Sequence, residues 1–366
     1  LHHQHPNLGF HDSMEATVDP YPGVPIGCRS PRKRGPYSMP KHTSAAAYVV
    51  IPAGVPKHSI KGSPLLALHP GTGDFVEWEA IKPRFQGINF PKTADTDWSI
   101  AGPNLNVDWV TDIGTSGSAT FNRVDGSKPS RLRPLSINTW EEFRRYVRDL
   151  PPYRYIFRGQ ENNAWRLRTS FHRTRRADLI RYMQVDVHEL HRHLSGLTSH
   201  YFNLEAPFEY AAFLSLGQHH GYPTPLLDWT YSPFIGAYFA FKKATAPTEK
   251  VRIFVFDRER WVRDWNQLQK ITPARLHFSM VDAVALNNER KIPQQALASV
   301  TNAEDIEDYI GTKETDGRRY LETIDLPLAQ RQEVLMELNL MGINAGSLFP
   351  GLDGACSQFK DRLFGL

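Results

Sequence analysis

Two stretches decide how this chain reads. The first is Phe157-Arg158-Gly159-Gln160. The second, roughly sixty residues later, is Gln218-His219-His220-Gly221-Tyr222-Pro223-Thr224-Pro225-Leu226-Leu227-Asp228-Trp229-Thr230, followed by Ser232-Pro233. The first closes an apolar run from Tyr153 to Phe157, and the second launches the apolar segment Phe234 to Phe241. Both are dense in polar and turn-forming residues, and helical patterns join them. That is the pattern of a site assembled from pieces distant in sequence, with the remaining chain as its support or as an attached module.

Arg158 follows β-favouring residues and precedes Gly159, which places it at the end of a strand spanning 153–158 where backbone and ligand can approach closely. A guanidinium there suits a phosphate, through two parallel hydrogen bonds. The alternative is a buried ion pair with Asp228 that ties two segments together. Asp228-Trp229-Thr230 reads as a tight turn before the apolar helix, and helix N-termini stabilise anions. An isolated Asp in that place is an ordinary cap. The crowd of Gln218, His219 and His220 beside it, in an otherwise apolar region, favours a site. No nucleophile elbow, zinc-protease helix, phosphate-binding P-loop or dinucleotide glycine fingerprint occurs.

Outward from these stretches the pattern is mixed. Residues 1–44, rich in Pro, Gly, Ser and His, read as an irregular arm. Residues 45–127 alternate at period two (Ala47–Ile51, Leu65–Leu68, Phe75–Trp78, Leu105–Val110, Ser118–Phe121) between Gly- and Asp-rich turns such as Pro70–Asp74, which predicts a small antiparallel β module. Its Trp78, Trp98 and Trp109 either line a groove or fill a core. Asp125 to Ser130 reads as a linker.

A second domain over 138–366 opens with Thr139 and Glu142, a capping box for a helix ended by Pro151-Pro152. Asp178 is expected to cap a long amphipathic helix with an apolar stripe from Leu179 to Tyr201 and with His188, His191 and His193 in solvent. Pro207 starts a helix to Leu216, Pro233 another, and 251–257 is a strand. Asp325 is expected to cap a helix over 327–341, stopped by Gly342. Helices mixed with a few strands, without a βαβ rhythm, give an α+β class.

The 366 residues predict two or three domains, with ample apolar content for cores. No run of eighteen apolar residues occurs, so no membrane span is expected. Two cysteines, Cys28 and Cys356, fit a reducing cytoplasm. A net charge of +4 does not by itself attract nucleic acid. The local runs Arg32-Lys33-Arg34 and Arg166, Arg168, Arg173, Arg175 and Arg176 are either solvated and folding contacts or anion ligands. No histidine, cysteine or acid cluster has metal-ligand spacing, so no metal is expected.

The two opening motifs resemble those of the FRG domain family, named for its Phe-Arg-Gly signature. The matches are Phe157 to Gln160, Trp165, Ser170, Gln218 to Gly221, Pro223-Thr224, Leu226 to Thr230, Ser232-Pro233 and Ala237 to Ala240. Arg290 with Gln294, and Leu348 to Pro350 with Asp353-Gly354, also look like family features, while Ala296 and Ala298 stand where Gly and Phe are expected. The family is bacterial and phage-related, often in defence contexts.

A fainter similarity is to mono-ADP-ribosyltransferases, which carry an arginine on an early strand, then a Ser/Thr-rich strand leading into a helix, then a glutamate. The resemblance implies an ADP-ribosyltransferase-like architecture that takes NAD as a substrate and acts as a toxin or phage-defence effector. It would transfer ADP-ribose to a protein or nucleic-acid acceptor, or cleave NAD. Arg158, Asp228 and Glu289 become the candidate catalytic residues. Arg158, Gly159, Gln160, His219, His220, Trp229, Thr230 and Ser232 become the candidate NAD ligands. The alternative is a non-catalytic module that binds nucleic acid or protein.

Overall fold

The computed structural model describes residues 16–18, 45–47, 49, 54–69, 75–122, 128–174, 178–245, 249–272, 276–281 and 289–364. Most of the expected N-terminal arm, the 32–34 basic run, Cys28, Arg175, Arg176, the turn at 70–74 and linker residues 125–127 lie outside them. The described residues form two compact units, one drawn from 1–125, 174–190 and 272–276, the other from 126–173, 191–271 and 277–366.

The second unit carries a six-stranded sheet. Its strands in chain order are β1 (Tyr155–Gln160), β2 (Leu226–Thr230), β3 (Lys250–Asp257), β4 (Phe278–Val281), β5 (Ala296–Thr301) and β6 (Leu321–Pro327). Their spatial order is β4-β5-β2-β1-β3-β6, and every pairing is antiparallel. The helices are α1 (Trp140–Arg148), α2 (Pro207–His219), α3 (Pro233–Phe241), α4 (Arg258–Asp264), α5 (Ile306–Gly311), α6 (Arg331–Leu340) and α7 (Leu352–Phe364). Helices and antiparallel strands without βαβ repetition make the fold α+β.

Side chains alternate across the sheet. Phe157, Ile253, Val255, Ile324 and Leu326 face one way and pack with Trp140 and Phe143 of α1, Ala237 and Phe241 of α3, and Val334 and Leu338 of α6. Ile156, Leu227, Trp229, Phe254, Phe256 and Leu321 face the other way and pack with Trp261, Phe278, Ile306 and Ile310. Burial on both faces explains why β3 reads as an apolar run broken only by Arg252. The capping box at Thr139 and Glu142 is present.

Four readings change here. Asp228-Trp229-Thr230 is a strand in the sheet interior, not a turn, and Ser232 caps α3 by accepting from Ile235 N–H at 3.3 Å. Asp325 does not cap a helix. It sits in β6 and takes two hydrogen bonds from the buried Arg252, at 2.7 and 2.9 Å. The helix expected to run from Asp178 to Tyr201 is shorter. A short α-turn over Leu179–Arg181 and a π-helical turn at Tyr182–Asp186 precede Val187–Leu194, and Leu197 and Tyr201 are exposed. His191 is buried with Nε2 2.7 Å from the Phe202 carbonyl, because a hydrogen-bond partner at one end lets an imidazole sit in apolar surroundings.

In the first unit, Lys57–Pro64, Thr93–Ala101, Asn104–Thr111 and Ser116–Asn122 form a four-stranded antiparallel meander. Trp98, Leu105, Val107 and Trp109 make its apolar face, and the Trp109 ring lies where a Cβ on Gly117 would stand. Trp78 stacks on Phe90 at 4.7 Å in a neighbouring cluster with Ile81 and Phe85. The tryptophans therefore fill cores. The strands at 57–64 and 93–101 escaped the sequence reading because only one of their faces is apolar, and it is sparsely so.

Candidate functional site

The sheet has a seam. β1 pairs with β3 over six residues and β2 pairs with β5 over five, but β1 and β2 share one registered pair, Phe157 with Thr230. A cavity of about 390 Å³ opens beside that pair. β1 contributes Phe157 to Gln160, β2 contributes Asp228 to Thr230, the last turn of α2 contributes Gln218 and His219, and α3 contributes Gly236 and Phe239. The remaining wall comes from Glu161, Trp165, Arg173, Ser215, residues of the segment 290–298 and Phe349. Four cations (Arg158, Arg173, Arg290 and Lys291) face two acids (Glu161 and Asp228) among the lining residues, so the cavity favours anions.

Arg158 bridges the seam. Its Nη1 donates to the Asp228 main-chain carbonyl at 2.8 Å, and its buried Nε has no partner. Burial lowers its pKa to about 10, with the charge of Asp228 opposing the fall and that of Arg173 adding to it, so the guanidinium stays charged at neutral pH. The Asp228 carboxylate does not pair directly with this guanidinium. Its Oδ2 instead accepts from Gln218 Nε2 at 2.6 Å. Asp228 reaches water through the cavity opening while protein crowds its other sides. Burial therefore raises its pKa, against the opposing pull of Arg158, the Gln218 hydrogen bond and Arg173. His219 is shifted down by burial and by the nearby Arg290 and His220, which keeps it neutral.

The candidate residues divide. Arg158, Gly159, Gln160, His219, Asp228, Trp229 and Thr230 all line the cavity, whereas His220, Ser232 and Glu289 do not. Ser232 is occupied as the α3 cap. Thr230 donates to the Gln294 carbonyl at 2.8 Å and accepts from Ser232 N–H, so its hydroxyl is committed to the backbone. Trp229 is buried and donates to Ser299 Oγ at 2.9 Å. Gln160 donates to the Trp165 carbonyl at 3.0 Å. Gly159 is small for packing: a Cβ there would lie 2.1 Å from the Gly236 carbonyl and 2.4 Å from the Ala240 nitrogen, on the face where α3 crosses β1.

Sequence reasoning named Arg173 only within a run of cations and Arg290, Gln294 and Phe349 only as family features, and it missed Lys291 as a lining residue. Arg290 lies over the Phe349 ring at 5.1 Å, and Gln294 Nε2 donates to the Leu348 carbonyl at 2.9 Å, which brings 290–294 and the chain near 349 to one wall. A cation followed by a glutamine at i+4 carries no signal by itself, since these contacts depend on tertiary placement. A second hollow of about 260 Å³, between Arg154, Asp257, Arg260, Arg319 and Glu322, is a poorer candidate. Arg154 already forks Asp257, and Arg319 already holds Glu314. Among the described residues no group of His, Cys, Asp or Glu is arranged to hold a metal ion, and no helix is long and apolar enough to cross a membrane.

Comparison with curated proteins and with solved structures gives no match. One family match exists, and it falls on β1, α2, β2 and α3, the elements that frame the seam. Arg290, Gln294 and Phe349 lie beyond it. Residues 153–249 of this chain match the model of the FRG domain family.

Proposed function

We propose that the seam cavity binds NAD, and that the protein breaks its glycosidic bond, transferring ADP-ribose to a protein or nucleic-acid acceptor or to water. The observation that carries this reading is the half-buried Arg158 guanidinium, charged and lining a cavity where cations outnumber acids. A pyrophosphate pairs with such a group through charge-assisted hydrogen bonds. Phe239, Phe349 and Trp165 supply flat apolar walls for nicotinamide or adenine.

In the bond-breaking step the C1′–N bond of the ribose cleaves and its electron pair leaves with nicotinamide. The positive charge that develops on the sugar is stabilised by the Asp228 carboxylate across from Arg158. Oxygen of the acceptor or of water then bonds to C1′, and its proton passes to Asp228 and on to solvent. Thr230 and Ser232 are engaged elsewhere, so Asp228 takes the ribose role that was expected of them. Glu289, exposed and outside the lining, has no part in this scheme. An effector of this kind, a toxin or defence protein, would work in the cytoplasm.

The test is nicotinamide release from NAD by the wild type and by Arg158→Ala, with each protein's fold checked by circular dichroism. We expect release by the wild type and at least about a hundredfold less by the variant, the scale for loss of one preorganised donor. No release, with cellular RNA and protein extract supplied as acceptors, removes the NAD reading.

The second reading is a nucleic-acid binder, favoured by the half-exposed Trp165 beside the cavity cations. It predicts single-strand affinity that falls steeply with salt.

A further inference from the structure

The part of the cavity best defined by hydrogen bonds is not Arg158 itself but the device that holds Asp228. Thr224, fully buried, is braced from both directions by Ser170: its N–H donates to Ser170 Oγ at 2.9 Å, and Ser170 Oγ donates back to the Thr224 carbonyl at 3.1 Å. The Thr224 hydroxyl accepts from Leu226 N–H at 3.4 Å, so its own proton is available for Gln218 Oε1, which it contacts. That contact fixes the Gln218 amide with its oxygen toward Thr224 and its Nε2 toward Asp228 Oδ2, at 2.6 Å. The Asp228 backbone is held as well, through the Arg158 bond to its carbonyl. Among the described residues Gln218 is the recorded donor to the Asp228 carboxylate, which stays open to the cavity, and Arg158 lines the same cavity.

We propose that Gln218, oriented by Thr224, is the positioning residue of this site and makes it select ligands that carry a hydroxyl beside a phosphate over ligands that carry phosphate alone. The inference rests on the reading of the cavity as a nucleotide site. A carboxylate open to the cavity accepts from a sugar hydroxyl and repels a second anion, and the accessible edge of the Arg158 guanidinium takes the phosphate oxygen. A ribose phosphate such as ADP-ribose satisfies both groups, whereas inorganic pyrophosphate satisfies one and clashes with the other. Arg158 and Arg173 are the charged groups that act on Asp228 together with the Gln218 hydrogen bond.

Two measurements on the full chain decide it. The first is the carbon-13 NMR titration of the Asp228 carboxyl in the wild type, in Gln218→Leu and in Thr224→Val, which alters the relay without touching the cavity lining. The second is calorimetric binding of ADP-ribose and of inorganic pyrophosphate to the same proteins. We expect the wild type to prefer ADP-ribose. We expect both variants to titrate at higher pH, because a hydrogen bond to the ionised form is lost, and to lose that preference about tenfold.

An unshifted titration in both variants overturns the positioning role, whatever binds. Normal titration shifts with an unchanged ligand preference overturn the selectivity. Wild-type ADP-ribose binding without nicotinamide release from NAD leaves this inference standing and removes only the catalytic step. Binding of neither probe by the wild type overturns the selectivity while the titration still reports on Gln218.

Discussion

At the scale of single residues, burial decides protonation. His172, in the chain just before the lining residue Arg173, lies 2.7 Å through Nδ1 from the Thr169 hydroxyl, and burial pushes its pKa down to about 4, with Arg168 adding to the shift. The folded chain therefore holds this imidazole neutral, while the unfolded chain protonates it near the ordinary 6.5. Its contribution is fully present above pH 6.5, falls as pH drops toward 4, and levels below that. The fall amounts to about 3 kcal/mol, from the shift at 1.36 kcal/mol per unit. His172→Gln is expected to be less stable at pH 7 yet flatter in that window, by urea unfolding at a series of pH values. A slope equal to the wild type's would show that other groups set the acid response.

Residue-scale legibility was uneven for the same reason. Arg158 and Asp228 announced themselves by type and neighbours, but nothing local distinguishes a helix cap from the strand partner of an arginine. Asp325 and His191 were misread on that account, since their partners Arg252 and the Phe202 carbonyl are set by tertiary contact.

At the scale of elements, the Phe-Arg-Gly signature is a place where a helix rests on a strand. α3 crosses β1 so closely that Gly159 meets backbone atoms of Gly236 and Ala240, and a Cβ on Gly236 would stand 3.0 Å from that of Phe157. Backbone cannot swing aside as a flexible side chain can. Gly159→Ala should cost about 3 kcal/mol or more, or prevent folding altogether. Gly311→Ala, at the end of α5 with nothing within 4 Å of its added Cβ, should stay within about half a kcal/mol of the wild type. Equal midpoints for the two variants in chemical denaturation would contradict the close packing. The apolar strand β3 and the capped helix α1 were readable because their patterns are local. β5 and β6 were not, because buried threonines, serines and acids interrupt them and only the sheet supplies those groups with partners.

At the scale of the whole molecule, the described chain sorts into two units that are not each continuous in sequence, a feature that pattern reading along a chain does not capture. The second unit's sheet is in turn two three-stranded halves, β4-β5-β2 and β1-β3-β6, which share the single registered pair Phe157–Thr230, the Arg158 bond to the Asp228 carbonyl and the cluster around Trp229 and Phe256. Backbone amides in such a sheet should exchange with deuterium in blocks, slowly within each half and first at the seam. Arg158 belongs to one half and Asp228 to the other, so a molecule that engages both acts as a rivet across the weakest line of the sheet. Its binding should slow exchange along that line before it alters the protection of either half, and a mass-spectrometric exchange map with and without ADP-ribose reads this directly. Uniform protection gained across the unit, with no excess at the seam, would mean that the two halves already open as one.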